Sequence, residues 1–505
     1  MTIGPGPRRG RVVAPPSKSH AHRLLIADFL AGDLSRLSPN AADSADVAAT
    51  KRCLAALAQE TAEPVLDCGE SGSTLRFIAP VAAALGKRPI YRKAGRLAER
   101  PVKEYPVIAP GVHELPGNVS SQFVTGLLFA LPVLDGDSRI RFTSPLESRG
   151  YVDMTLAVVR GAGVEVDEVE DGFLVRGRQK FRPQPSVSVE GDWSGAAFWL
   201  AMNALGGSID VAGLSERSAQ PDMAVAELLA DMPGEIDVSQ CPDIFPVLSV
   251  VAASRRRETS FKGIRRLRIK ECDRVAAMGE VLSRFGAGVE VSEGEFLVHG
   301  VGGAFRGGLF PSFGDHRIAM AVAVGATCAD SLVEIDDAAC AAKSYPSFFA
   351  ELSRMEFADG AAFGGAQVLA AVSLGSNVEP RADYMRRALA ALDGLPRTRL
   401  VAASSVNETE PVDVPPQYAR LKFLNQAALL RTSLGPMEFS KLMHGIEDSL
   451  GRVRTTKNGP RTIDIDLVDF GGIAMDSPTL TLPHPRARIR DFVLGPLAEL
   501  GFALP

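Results

Sequence analysis

Two stretches of this chain repeat one another: RGAGVEVDEVEDGFLVRG at 160–177 and FGAGVEVSEGEFLVHG at 285–300. In each copy an amphipathic helical run (MTLAVVR, VAAMGEVLSRF) stops at glycine, and two short alternating strands follow around an acidic turn. G-A-G-V-E-V alone is a common way to leave a helix and enter a strand. Sixteen residues with the same downstream order are not, so one supersecondary unit is used at least twice. With 505 residues the chain is too long for a single ordinary core, and the duplication bears on how its first part is divided.

A further boundary is written in composition. Between Met355 and Leu369 the sequence MEFADGAAFGGAQVL loses periodicity and gains Ala and Gly. That predicts a linker at 358–366 between a first part, 1–357, and a second, 367–505. Residues 1–366 carry 39 Lys+Arg against 45 Asp+Glu and the second part 16 against 15. Neither has the basic surface that nucleic acid requires, and 6% aromatic residues make a poor stacking platform for bases. No apolar run is long enough to span a bilayer and no basic-then-apolar leader is read, so a cytoplasmic protein without a membrane partner is expected. Cys53, Cys68, Cys241, Cys272, Cys328 and Cys340 show no C-x-x-C spacing and are expected as reduced thiols, without a zinc site.

Five helix starts in the first part share one chemistry. Ser17-Lys18-Ser19, Ser71-Gly72-Ser73-Thr74, Ser120-Ser121-Gln122, Lys270 to Arg274 (KECDR) and Gly314-Asp315-His316-Arg317 each open a predicted helix. Hydroxyls and carboxylates cap free N–H groups there, and an N-terminus with Lys or Arg beside it also suits phosphate or carboxylate. Any one of them is ordinary capping; five in one chain predict a small polyanionic substrate.

These motifs carry a resemblance. PPSKSHAHRLL, CGESGSTLRF, LAERPV, GNVSSQFVTGLL, SPLESRGYVDMTL, VEGDWSGAAF, PDIFPVLSVVAA, RIKECDRVAAM, FGDHRIAMA and AAKSYPSFF occur in the order seen in enolpyruvylshikimate-phosphate (EPSP) synthases, over about residues 8–355. The resemblance implies an inside-out α/β barrel of repeated βαβαββ units in two globules, one of about 1–14 with 191–357 and one of about 15–190, with a cleft that closes on substrate. It implies transfer of enolpyruvyl from phosphoenolpyruvate to the 5-hydroxyl of shikimate 3-phosphate, with no cofactor. By it, shikimate 3-phosphate contacts Lys18, Ser19, Arg23, Ser120, Ser121, Gln122, Ser148, Tyr151, Asp243, Arg266 and Lys270. Phosphoenolpyruvate contacts Lys18, Gly72, Arg100, Gln122, Arg274, Arg317 and Lys343. Asp243 is the implied base and Glu271 the implied acid, with Lys18 and Lys270 also catalytic. Glu70 departs from the Asn of many relatives, Phe77 from a common Pro, and Arg266 from a polar residue.

The second part alternates a strand (VLAAVSLG), a helix (RADYMRRALAAL), strands TRLVAASSVNET and KFLNQAALLRT, a helix (PMEFSKLMHGIEDSL) and a final strand. This β-α-β-β-α-β order predicts a ferredoxin-like α+β sheet. In the last strand, Ile463, Ile465 and Leu467 share one face while Asp464 and Asp466 share the other, roughly 6.5 to 7 Å apart. GRVRTTKNGPRT just before it sets cations for phosphate oxygens beside acids for Mg²⁺, as phosphoryl transfer requires.

SLGSN, LNQA, GRVR, GPRTIDIDL and LPHPRARIRDFVLGPL together resemble hydroxymethyl-dihydropterin pyrophosphokinases (HPPK). The resemblance implies two Mg²⁺ on Asp464 and Asp466, with ATP as co-substrate at Glu447, Arg452, Arg454, Arg461, His484 and Arg490. It places the pterin against Thr409, Pro411, Val412, Phe423, Asn425 and Phe492. Lys457-Asn458 departs from a frequent Arg-Trp, Glu410 from Pro, and His444 from Gln. The expectation is a bifunctional enzyme acting on small molecules, with a monomer favoured. The alternative is an active first part with a degenerate second part that binds ATP or pterin and regulates it; intact Asp464, Asp466, Arg452 and Arg461 argue against that.

Overall fold

The repeat reaches further upstream than its letters do. A computed structural model describes residues 1–98, 107–357, 367–412, 414–452, 459–476 and 479–504. The first copy runs through strand Gly111–Pro116, helix Ser121–Ala130, strand Ser138–Ser144, helix Arg149–Gly161 and hairpin Val166–Val169/Gly172–Val175. The second follows the same course through Glu235–Asp237, Phe245–Ser254, Glu258–Lys262, Arg274–Phe285 and Gly288–Val291/Glu295–His299. Both build a four-stranded sheet of one order, its first two strands parallel and the remaining pairs antiparallel. Only the second helix and the hairpin of each copy show in sequence, because each has one face to solvent and one to the core. The helix before each first crossover is apolar almost all round and carries no period to compare.

The first part has two cores. One joins Ile3 and Val12 to residues from Trp193 to Met355; the other runs from Ala21 to Phe181. The chain crosses between them twice, side by side. Ser17 N–H donates to the Glu190 carbonyl at 2.8 Å, and Asp192 N–H donates to the Pro15 carbonyl at 2.8 Å. A helix starts directly beyond each crossing, Lys18–Leu30 in one core and Trp193–Ala204 in the other. The hinge therefore delivers two helix N-termini to the space between the cores.

In the second part the strand order is Thr398–Ala403, Phe423–Thr432, Val368–Ser376, Asp464–Phe470, all antiparallel. The central strand is apolar on both faces because both are covered. Ala370, Val372 and Leu374 pack under helices Arg381–Asp393 and Pro436–Ser449, while Ala371 meets Val493 and Leu497 of helix Asp491–Glu499.

Three details differ from expectation. KECDR does not open its helix at Lys270: Asp273 accepts from the N–H groups of Val275 and Ala276, so the helix begins at Arg274 and Lys270 and Glu271 stand outside it. TRLVAASSVNET is two strands, Thr398–Ala403 and Asn407–Thr409, interrupted where the Ser404 hydroxyl accepts from Ala427 N–H and Ser405 is held by Glu499. The first part does not end within its own core: Glu356–Phe357, just before the expected linker, pairs with Arg8 and Arg9 of strand Arg8–Val13, and the Phe357 ring lies in the core of the second part. The Arg8 guanidinium sits 3.8 Å from the centre of that ring. Residues 358–366 lie outside the described residues.

Candidate active sites

The first cavity lies between the two cores, and all five predicted helix starts reach it. Ser17, Ser71 and Ser120 accept from N–H groups of their own first turns, as does Asp315. Lys18, Gly72, Ser121, Gln122, Arg274 and Arg317 are thereby fixed on the cavity wall. Ser19, Arg23, Ser120, Ser148, Tyr151, Asp243, Arg266, Lys270 and Glu271 complete the expected set there. Of the remaining two residues, Arg100 lies outside the described residues. Lys343 is not on the wall; its Nζ pairs with Glu70 across the cleft at 3.2 Å.

Charge in this cavity is closely balanced. Asp243 faces Lys270 Nζ at 3.2 Å, Arg274 Nη1 at 2.9 Å and Arg317 Nη2 at 3.2 Å. Burial would push its carboxyl up, yet Arg317, Lys270, Arg274 and Lys18 hold it well below the usual range. Arg274 is itself held by Glu271 at 2.9 Å and by Asp315 at 2.8 Å, which raises its pKa against the cost of burial. Burial lowers the pKa of Lys270. Lys18 Nζ meets Asp46 at 2.9 Å; burial opposes the ammonium, but Asp46 and Glu271 together raise its pKa.

The sugar-phosphate side is rigid. Arg23 donates to Thr155 Oγ1 and to the carbonyls of Ser19 and Tyr151, with its guanidinium 5.2 Å from the Phe77 ring centre. The Tyr151 hydroxyl donates to Asp222 at 2.6 Å; burial and the nearby Asp243 push the Asp222 carboxyl up to about 7. Arg266 bridges to Ser148 Oγ at 2.7 Å and to Glu147. Asp46, Asp222 and Arg76, which holds Gln122 at 2.6 Å, were not singled out from sequence. Arg76 lies three residues beyond Ser73 on the same helix face, a spacing that could have flagged it. Asp46 and Asp222 carried no motif.

The second cavity rests on one sheet. Asp464 and Asp466 open the strand Asp464–Phe470 while Ile463, Ile465 and Leu467 are buried beneath. Thr409, Val412, Phe423, Asn425, Arg452, Arg461, His484, Arg490 and Phe492 line the same space, as expected residues, together with Ser373, Gly375, Glu410 and Arg486. Pro411 is not among the lining residues, and Arg454 lies outside the described residues. Glu447 is buried behind the wall, where it accepts from Ile465 N–H at 2.7 Å and pairs with Arg452.

Asp464 is engaged by Arg452 and, at 2.7 Å, by Arg461. Asp466 has Arg490 at 3.9 Å, and burial together with Asp464 raises its carboxyl. Burial lowers His484 and Arg490. Two carboxylates on one strand face, one of them pushed toward protonation, form an all-oxygen pair that a hard divalent cation would relieve. Among the described residues no group of three or more His, Cys, Asp or Glu could hold a metal ion, so further ligands to such a cation would be phosphate oxygens and water.

A cleft between two α/β cores lined by cations and their acid partners, together with a second cavity on one sheet that sets two aspartates among arginines, marks a transferase with two sites. The chain belongs to the EPSP synthase (3-phosphoshikimate 1-carboxyvinyltransferase) family, whose model matches residues 3–240 and 233–352. Residues 371–501 match the 7,8-dihydro-6-hydroxymethylpterin-pyrophosphokinase (HPPK) model, so the chain is a fusion of the two. The 3-phosphoshikimate 1-carboxyvinyltransferase of Clostridioides difficile is 36% identical over 425 residues, covering 70% of this chain and 97% of that protein. That of Clostridium kluyveri is 37% identical over 410 residues, covering 69% and 95%. A solved EPSP synthase from Acinetobacter baumannii superposes with a TM-score of 0.55 at 20% identity, over 69% of this chain and 96% of that one, and shares the mixed α/β fold.

Proposed function

We propose that the chain is a bifunctional transferase. The first part moves enolpyruvyl from phosphoenolpyruvate to the 5-hydroxyl of shikimate 3-phosphate, and the second moves pyrophosphate from ATP to 6-hydroxymethyl-dihydropterin. The observation that carries the first reading is the Asp243 carboxylate, ringed by Lys270, Arg274 and Arg317 where five helix N-termini meet.

Held so low, Asp243 is ionised but a weak base in the free protein. Phosphoenolpyruvate brings phosphate and carboxylate to Arg274, Arg317 and Lys18, drawing their charge away from Asp243 and raising its basicity as substrate arrives. Asp243 then takes the 5-hydroxyl proton while the oxygen bonds to C2 of phosphoenolpyruvate, and Glu271 protonates the methylene carbon. Loss of phosphate and of one methyl proton from the tetrahedral adduct restores the double bond. Lys18 and Lys270 stabilise the developing charge. Ser19, Arg23, Ser120, Ser121, Gln122, Ser148, Tyr151 and Arg266 hold the shikimate phosphate and ring, with Gly72 and Lys343 at the phosphoenolpyruvate end.

In the second part Asp464 and Asp466 would hold two Mg²⁺, which when bound neutralise the phosphates and orient them for attack. Arg452, Arg461, His484 and Arg490 would hold ATP. Thr409, Asn425, Phe423, Val412 and Phe492 would fix the pterin so that its hydroxymethyl oxygen meets the β-phosphorus, AMP leaving. Glu447 acts from behind, setting Arg452. We further assign a two-globule inside-out barrel to 1–357, a linker to 358–366 and a ferredoxin-like fold to 367–505.

The test is AMP formation from ATP, Mg²⁺ and 6-hydroxymethyl-dihydropterin by the full chain, beside EPSP formation by the same preparation. The Asp464→Asn, Asp466→Asn double variant should lose AMP formation by at least about 10²-fold with EPSP formation unchanged. A wild-type chain that binds ATP yet releases no AMP would reduce the second part to a regulatory module.

A further inference from the structure

Among the described residues, the cations expected at the phosphoenolpyruvate end, Lys18, Arg274, Arg317 and Lys343, each have an acid partner, and one of these pairs joins the two cores. Lys343 belongs to the short helix Ala339–Lys343 of one core and is only 13% exposed at its side chain. Its partner, Glu70, comes from the other core, 273 residues away, between strand Val65–Gly69 and the helix Gly72–Ala84 whose first residue lines the cavity. The Glu70 carboxyl is bedded over Gly95, where a Cβ would collide with Oε1. From the same segment Arg96 Nη1 donates to the Glu271 carbonyl at 3.2 Å. Two arms of one core thus grip the other at Lys343 and at the backbone of Glu271.

We propose that Glu70 is an internal counter-ion for Lys343, a resident anion that the incoming anionic co-substrate must displace. This rests on reading the first site as an EPSP synthase site, and it makes Glu70 a determinant of affinity for phosphoenolpyruvate with no part in the bond changes. Lys343 is too enclosed to be left without a counter-charge at little cost, so in the free protein Glu70 keeps it neutralised and in place. Binding exchanges one carboxylate for another anion, and the co-substrate gains only the difference between the two pairings. Glu70 is half exposed, so water and salt screen the pair and the competition is modest.

The experiment is steady-state kinetics of EPSP formation by the full chain and its Glu70→Gln variant, varying each substrate in turn. Removing the charge while keeping the shape should lower KM for phosphoenolpyruvate by about two- to five-fold, the range expected for a partly exposed ion pair. Both kcat and KM for shikimate 3-phosphate should stay within about two-fold. The KM difference should shrink as salt is raised, and it should vanish when Lys343 is already Met, because the counter-ion then has nothing to compete for. An active variant whose KM for phosphoenolpyruvate is unchanged or higher would overturn the counter-ion, leaving the enzyme assignment standing. A wild-type chain that forms no EPSP would overturn that assignment, and the counter-ion with it.

Discussion

The two cavities solve opposite electrostatic problems. In the cleft between the first two cores most of the described strong charges meet their opposites: Asp243 its three cations, Arg274 its acids, Lys18 its Asp46, Lys343 its Glu70. On the C-terminal sheet two acids share one strand face, and the second of them, Asp466, has Arg490 at 3.9 Å as its one ion-pair partner among the described residues. A site for anions must already hold its cations in low-dielectric surroundings, and it can do so only if acids accompany them. On the proposed reading a divalent ion supplies the missing charge of the second site, so Asp466 can be left under-compensated while Asp464 is held by Arg452 and Arg461. The first is therefore assembled from segments far apart in sequence, whereas the core of the second is written on neighbouring residues of one strand.

The sharpest way to separate the two is Asp243→Asn. It should lower kcat for EPSP formation by about 10²- to 10⁴-fold while AMP formation is unchanged. Comparable loss of both activities would mean that the cavities are not chemically independent.

Phe357→Ala probes the opposite possibility, that the halves are one structure despite two chemistries. The ring is buried in the C-terminal core while its backbone pairs with strand Arg8–Val13, so truncation should cost about 3–5 kcal/mol in urea denaturation and lower the stability of both activities together. Loss confined to AMP formation would show that the seam only tethers.

The smallest effect tests the charge balance itself. Asp222 keeps a proton up to about pH 7, whereas an unfolded aspartate releases it near pH 4. The folded state therefore binds more protons across that window, and this group's contribution to stability is lost as pH rises from about 4 to about 7. Asp222→Asn should still accept the Tyr151 hydrogen bond without that dependence. The difference in melting temperature between variant and wild type should accordingly move in the variant's favour between pH 5 and pH 8. A constant difference would mean that Asp222 titrates as it does in the unfolded chain.

What could be read from sequence follows the same division. The hairpins of the repeat, the helix starts and the Asp464/Asp466 face are local, and periodicity or capping chemistry exposes them. The partners of Lys18, Lys343 and Tyr151 are not local. Asp46, Glu70 and Asp222 reach them only because two crossing strands and several helix ends converge, and no spacing in the chain encodes that. The break after Ala403 is not local either, since Ser405 is held by Glu499, 94 residues away. Phe357 reads as the last residue of the first part, and nothing in the sequence shows that its ring belongs to the core of the second.

The split composition of the first core also bears on how the chain is made. Strand Thr2–Ile3 waits for Val333–Ile335, and Arg8–Val13 waits for Ser208–Ala212 on one side and Glu356–Phe357 on the other. At ordinary translation speeds the last of those partners leaves the ribosome roughly 20 s or more after the first strand. All that time the intervening core can fold, while RRGRVV hangs from it as an open strand edge. Arg8, Arg9 and Arg11 give that edge three positive charges, the kind of residue that discourages pairing with neighbouring nascent chains. Replacing the half-buried Arg9 and the exposed Arg11 with apolar residues would then show first as aggregation during synthesis.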